Sequence, residues 1–149
     1  MTVTPDYTLV IACYNEEPLL EASMAETLAV LDTLPGTTEI IFVDDASRDR
    51  TRAIIDRIMA AHPERLMVKI EHPQNVGRGG TVADGIRVAR GRLVGYIDID
   101  LEVHARYIAP CLAKLEEGYD VATALHDYVR ARYNNAGWEE DFLVFERKP

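Results

Sequence analysis

Apolar and polar residues fall in alternating blocks along the chain. Short apolar runs rich in β-branched residues occupy 7–13, 39–44, 66–72, 93–98 and 119–125, each the length of a strand. Between them, segments 18–33, 49–62, 79–90 and 105–117 show helical periodicity. In the second of these, Ile54, Ile55, Ile58 and Met59 recur at three- and four-residue steps, opposite a face carrying Arg52, Asp56 and Arg57. Pro35-Gly36 separates the first helix from the second strand, Gly118 follows the fourth helix at a C-cap position, and Ser47 is placed to cap the second helix. The order β-α-β-α-β-α-β-α-β predicts a Rossmann-like α/β/α sandwich around a mainly parallel central sheet. Right-handed crossovers then set the C-terminal ends of the strands along one edge, where ligands of such sheets bind. No repeat, low-complexity tract or linker precedes about residue 130, so 1–130 reads as one core and 131–149 as a short tail.

Composition narrows the function classes. With 149 residues, 48% hydrophobic and 28% charged, the chain fits one compact soluble domain. No apolar run approaches the ~20 residues of a membrane-spanning helix, and Met1-Thr2-Val3-Thr4-Pro5 lacks the features of a signal peptide. The expected location is cytoplasmic. Cys13 and Cys111 fit no metal or redox spacing and read as reduced, buried thiols. The net charge of -9 argues against nucleic-acid binding, which needs a basic surface. It also constrains any other phosphate ligand, whose charge must be screened by helix N-termini, by placed arginines, or by a divalent cation held on carboxylates.

Three predicted strands end in polar residues on the same edge: Ala12-Cys13-Tyr14-Asn15-Glu16-Glu17, Asp44-Asp45-Ala46-Ser47, and Asp98-Ile99-Asp100-Leu101-Glu102. In an extended segment side chains two apart point the same way, so Asp98 and Asp100 can face one ligand. Paired oxygens suit Mg²⁺ or Mn²⁺, which take one or two protein carboxylates and complete their shell with water and substrate phosphate. Asn75-Val76-Gly77-Arg78-Gly79-Gly80-Thr81 runs into the third helix, where glycines permit close backbone approach and Arg78 is a cation within reach of a phosphate. Tyr14 is a candidate to stack on a base or ribose. His62 and His72 precede prolines at element ends and read as structural, while His104 and His126 lie near the proposed site.

These motifs, in this order, resemble family 2 glycosyltransferases. Val10-Ile11-Ala12-Cys13-Tyr14-Asn15-Glu16-Glu17 is similar to the opening strand of that family, and Val43-Asp44-Asp45-Ala46-Ser47-Arg48-Asp49-Arg50-Thr51 to its second motif. Asn75 to Gly80 and Tyr96 to Leu101 continue the series, with most likeness to the dolichyl- or polyprenyl-phosphate sugar synthase branch. The resemblance implies a GT-A fold and a hexosyltransferase-type activity: sugar transfer from a nucleoside diphosphate donor, a UDP- or GDP-sugar, with inversion. It implies that Ala12, Tyr14 and Glu16 contact base and ribose, that Asp45 lies near the base, that Arg78 packs beside the nucleotide, and that Asp98 and Asp100 hold the metal and reach the diphosphate. A polyprenyl-phosphate acceptor would bring the protein to a membrane surface as a peripheral partner.

The sequence departs from the family pattern at several positions. Ala12 stands where the family has proline, Ala46 where it has glycine, and His126 where many synthases have an arginine. The tail from Asn134 to Pro149 has its own alternating apolar character, as of a final strand, and does not resemble the family's acceptor region. Its apolar residues would cap the sheet or meet another subunit. A non-catalytic nucleotide-sugar-binding module is therefore the competing reading. A dinucleotide-binding domain is disfavoured, because the first strand-to-helix turn has Cys-Tyr-Asn-Glu-Glu in place of a glycine fingerprint.

Overall fold

A computed structural model describes residues 4–124 and 142–145. The elements are β1 (Tyr7–Cys13), α1 (Leu20–Leu31), β2 (Thr38–Asp44), α2 (Thr51–Ala61), β3 (Leu66–Glu71), α3 (Arg78–Val88), β4 (Leu93–Asp98), a 3-10 turn (Ala105–Tyr107), α4 (Ile108–Glu116), β5 (Val121–Ala124) and β6 (Phe142–Phe145). The chain divides into two compact units, Met1–Leu101 and Glu102–Pro149.

The first unit is built on a four-stranded sheet in the order β3-β2-β1-β4, all pairs parallel. Its two central strands are buried on both faces, as their unbroken apolar runs require: Leu9, Val10 and Ile11 of β1 and Ile40, Ile41, Phe42 and Val43 of β2 are at most 5% exposed. Each such side chain contributes roughly 1.5–3 kcal/mol on burial. Right-handed crossovers running β1 to β2 to β3 place α1 and α2 on one face, and the return from β3 to β4 places α3 on the other. The α3 face is packed around Val10, Ile41 and Val43, flanked by Val68, Ile70 and Ala89. Here Gly85 is required for space: a Cβ at that position would collide with Val10 and come within 3.1 Å of Val43 Cγ2.

At the N-terminal edge of the sheet the buried Glu39 ties α3 to the strands. Its carboxylate accepts from Thr8 Oγ1 (2.8 Å), Arg90 N (3.0 Å) and Arg90 Nε (2.7 Å), and Thr8 Oγ1 in turn accepts from Gly91 N (2.9 Å). Burial pushes this carboxyl upward, but the hydrogen bonds from Arg90 and Thr8 outweigh it and leave it below the usual range. The strand register levels the opposite ends, pairing Cys13 with Asp44 and Ala12 with Asp98.

In the second unit, α4 stops in a Schellman motif. Gly118 adopts φ 102°, its N–H donates to Leu115 O (3.1 Å) and that of Tyr119 to Lys114 O (3.3 Å). The expected fifth strand forms, but it pairs antiparallel with Phe142–Phe145 in a separate two-stranded sheet. The tail thus supplies the strand its alternation suggests. Cys13 is buried, Cys111 half-buried, and both are free thiols.

Gly85→Ala is expected to overpack the α3 face and cost about 1–3 kcal/mol, read as a lower urea midpoint with an unchanged slope.

Candidate functional site

The loops that leave β1 and β2 are laced together by side chains that satisfy each other's backbone. Asn15 N donates to Ser47 Oγ (2.9 Å), and Arg48 N donates back to Asn15 Oδ1 (2.8 Å). Glu16 N donates to Thr51 Oγ1 (2.8 Å) and Glu17 N to Asp49 Oδ2 (3.1 Å), while the Glu17 carboxylate accepts from Arg50 N (2.9 Å) and Nε (2.8 Å). Asn15 and Glu17 are thus turned toward the neighbouring loop, and Tyr14 and Glu16 line a cleft. Ser47, expected to cap α2, serves Asn15 instead. The first turn of α2 is met by Asp49, whose Oδ1 accepts from Thr51 N (2.9 Å).

Asp44 and Asp45 point to different tasks, as neighbours at a strand end do. Asp44 is fully buried and accepts from Arg52 Nε (2.6 Å) and Ser47 N (3.1 Å). Asp45 accepts from Val76 N and Gly77 N, both at 2.8 Å, and its Oδ1 is 2.8 Å from His72 Nδ1. Burial raises the Asp45 carboxyl, and these hydrogen bonds more than reverse that, holding it below its ordinary value. The latch fixes Gly77, the α3 N-cap at φ 83°, and so places Arg78 as the first residue of the helix.

β4 ends at Asp98, and Ile99-Asp100 form a turn. Leu101 N donates to Asp98 O (3.2 Å), with Leu101 at φ 52°. The extended run expected through Asp100 does not occur. The turn nevertheless brings Asp98 and Asp100 to the same cleft, with Ile99 buried between them.

The cleft, about 370 Å³ in volume, lies at the ends of β1 and β4, where the strand order reverses. The β1 end contributes Ala12, Cys13, Tyr14 and Glu16, and the β2 end Asp45. Asn75, Gly77, Arg78 and Thr81 line it from the start of α3, and Asp98, Ile99 and Asp100 from the end of β4. All seven residues singled out from the sequence (Ala12, Tyr14, Glu16, Asp45, Arg78, Asp98 and Asp100) therefore meet in one place. Thr81 ends the glycine segment 75–81 that runs into the third helix, whereas Cys13 and Ile99 are not among the expected contacts. Cys13 closes an apolar strand and Ile99 is the apolar spacer of the acidic pair, so neither carries a polar-cluster signal. His104 accepts from Arg106 N through Nδ1 (3.0 Å), capping the 3-10 turn, and His126 lies outside the described residues.

Charge is concentrated at the mouth. Arg78 Nη2 is paired with Asp98 Oδ2. Glu16 is pushed above the ordinary carboxylate range by burial and by the nearby charges of Asp100, Asp49 and Asp98. Among the described residues no group of three or more His, Cys, Asp or Glu side chains is arranged to hold a metal ion. The donor set still fits a hard cation that uses one or two protein carboxylates and takes its other ligands from substrate and water: Asp98 and Asp100 supply oxygen donors, and their field on Glu16 shows a locally negative cleft.

The family model for Glycosyl transferase family 2 matches residues 8–148. The chain belongs to this family. It is 36% identical over 113 residues to an undecaprenyl-phosphate 4-deoxy-4-formamido-L-arabinose transferase of Shewanella sediminis, covering 76% of this chain and 34% of that protein. The chain thus spans about a third of the length of the curated relatives it matches. A family 2 member of the polyprenyl-phosphate branch is therefore among its relatives, as the motifs implied. Among solved structures, a mannosyltransferase of Pyrobaculum calidifontis in complex with GDP-Man and Mn²⁺ superposes with a TM-score of 0.74 at 23% identity, covering 98% of this chain and 46% of that one. TarS of S. aureus in complex with UDP-GlcNAc superposes with a TM-score of 0.61 at 22% identity, covering 75% and 31%. The fold is GT-A, an α/β architecture. No helix among the described residues is long and apolar enough to cross a membrane.

Two variants probe this edge. With its folded pKa raised, Glu16 disfavours the fold while ionised and ceases to do so once protonated. Glu16→Gln should therefore raise the melting temperature at neutral pH, with the gain gone below about pH 4.3, as measured by thermal scans across pH. Ala46, at φ 61° where the family has glycine, holds a left-handed conformation that is costly for an L-residue. Ala46→Gly should stabilise by about 1 kcal/mol in denaturant unfolding.

Proposed function

We propose that the cleft binds a nucleoside diphosphate sugar and that the protein takes part in metal-dependent, inverting sugar transfer from it. The observation that carries this reading is the convergence of Asp98, Asp100, Arg78 and the α3 N-terminus at the topological switch point, beside the aromatic ring of Tyr14. Ala12, Tyr14, Glu16 and Asp45 would receive base and ribose. Arg78 and the backbone N–H groups at the start of α3 would meet the diphosphate, since helix N-termini favour anions. Asp98 and Asp100 would hold a Mg²⁺ or Mn²⁺ ion, which when bound supplies Lewis-acid stabilisation of the departing diphosphate.

In the proposed reaction an acceptor oxygen attacks the anomeric carbon from the face opposite the leaving group. The new glycosidic bond forms as the bond to the β-phosphate oxygen breaks, and the nucleoside diphosphate departs with the electron pair. The relatives named for undecaprenyl phosphate support an acceptor of polyprenyl-phosphate type. Its oxygen is already anionic, so no strong general base is demanded of the protein. Such an acceptor would draw the protein to a membrane surface as a peripheral partner.

Calorimetric titration of UDP- and GDP-sugars, with and without Mn²⁺, tests the reading. Binding to the wild type should require the cation, and Asp100→Ala should weaken it by about 10–100-fold. Binding indifferent to both cation and substitution would overturn the assignment of the site. Transfer to a short-chain polyprenyl phosphate, followed by product chromatography, separates a transferase from a module that only binds.

A further inference from the structure

His72 follows β3, is 8% exposed, and has no part in the chemistry proposed above. Its surroundings are nonetheless specific. Nδ1 stands 2.8 Å from Asp45 Oδ1, and Nε2 stands 3.2 Å from Asp84 Oδ2. Its own backbone is fixed, with its N–H donating to Asp44 O (2.8 Å) and its carbonyl accepting from Arg52 Nη2 (3.3 Å). The Asp45 carboxylate also takes the Val76 and Gly77 amides, so Nδ1 faces an acceptor and donates to it. Asp84 lies on the second turn of α3 and is further paired with Arg87. Both carboxylates only accept, so the ring bridges them with an N–H on each nitrogen, and in that form it is a strut between the loop after β2 and the body of α3. Arg78 and the helix start lie between its two anchor points.

We propose that His72 is a positioning residue for the nucleotide site: by bridging Asp45 and Asp84 it fixes where α3 begins, and so holds Arg78 at the cleft. The inference rests on the donor-site reading above. A buried ring that merely fills space would be replaceable according to size alone. A strut is sensitive to which nitrogen is lost, because a half-satisfied buried polar network costs more than the missing hydrogen bond. Asparagine presents an amide nitrogen at the place of Nδ1 and preserves the bond to Asp45. Glutamine reaches toward the place of Nε2 and preserves the contact to Asp84 alone.

The test uses the full chain and the variants His72→Asn, His72→Gln and Asp84→Asn. Three quantities are measured: hydrogen exchange of the Val76 and Gly77 amides without nucleotide, affinity for UDP- and GDP-sugars with Mn²⁺, and melting temperature. His72→Gln is expected to lose protection at both amides and to weaken nucleotide binding about tenfold. His72→Asn should keep that protection and bind within about threefold of the wild type, although both variants lower the melting temperature to a similar extent. Asp84→Asn, which like His72→Asn alters only the contact to α3 and sits at a partly exposed partner, keeps the fold in reach should His72→Gln unfold, and is expected to match His72→Asn, with both amides protected and binding within about threefold of the wild type. Equal affinity of the two His72 variants, or affinity that follows melting temperature whichever nitrogen is replaced, would overturn the positioning role. A wild type that binds no sugar nucleotide would defeat the donor-site reading instead, and the amide exchange would still decide the strut.

Discussion

Asp45 is the constraint on which the cleft depends. Its N–H donates to Cys13 O (2.8 Å), its carboxylate takes the amides of Val76 and Gly77 and the ring of His72, and its carbonyl accepts from Asn75 Nδ2 (3.3 Å). One residue thereby joins the end of β1, the end of β2 and the segment leading into α3. Buried polar groups must find partners, and a buried carboxylate finds them most cheaply among backbone N–H groups that helix starts leave unsatisfied. The arrangement that satisfies Asp45 is the same one that aims α3 at the cleft. Gly85 permits the close approach from the other side, letting α3 press against Val10 and Val43.

Electrostatics then sets the character of the cleft. The carboxylates of Glu16, Asp98 and Asp100 crowd one rim, where burial first, and then the charges of Asp100, Asp49 and Asp98, push the Glu16 carboxyl above its ordinary value. Such a rim repels a diphosphate unless positive charge intervenes. Arg78, already paired with Asp98, supplies some of it, and the α3 N-terminus adds partial charge. For a chain of net charge -9 these local sources matter more than the overall field, which opposes any anionic ligand. The paired acids become intelligible as part of the proposed site only with a cation between them and the phosphates.

Much of this was legible in the sequence, because runs of β-branched residues and helical spacings report directly on burial. The ends of β1 and β4 fell where Cys13 and Asp98 predicted. The cleft residues were found because polar groups clustered after apolar strands. Long-range partnerships were not legible. Asn15, Glu16 and Glu17 look alike as polar residues after a strand, yet two of them bind the 48–50 segment and the third faces the cleft. Ser47 reads locally as a helix cap, but its hydroxyl is taken by an amide 32 residues away. His72 reads as a structural residue before a proline, since nothing local reveals the carboxylates of Asp45 and Asp84. The fifth strand was legible as a strand, but its pairing depends on Phe142–Phe145, across an interval that local pattern does not bridge.

Backbone strain is distributed with the same bias. Among the described residues, the non-glycine positions with left-handed φ are Asn15, Ala46 and Leu101, at 56°, 61° and 52°. Each follows within three residues of the C-terminal end of a strand, β1, β2 or β4. At that edge the chain must turn sharply to leave room for a concave site. Asparagine tolerates the conformation, whereas alanine and leucine carry a cost of order 1–3 kcal/mol each. The surrounding hydrogen bonds hold them there: Asn15 is fixed by Ser47 and Arg48, and Leu101 N is bonded to Asp98 O. Leu101 follows both carboxylates, so its left-handed φ redirects the chain after the turn and leaves the turn itself to the backbone of Ile99 and Asp100. The strain at the end of β4 is thus the cost of leaving the cleft edge directly after Asp100, and the bond from Leu101 N to Asp98 O closes the turn just before it.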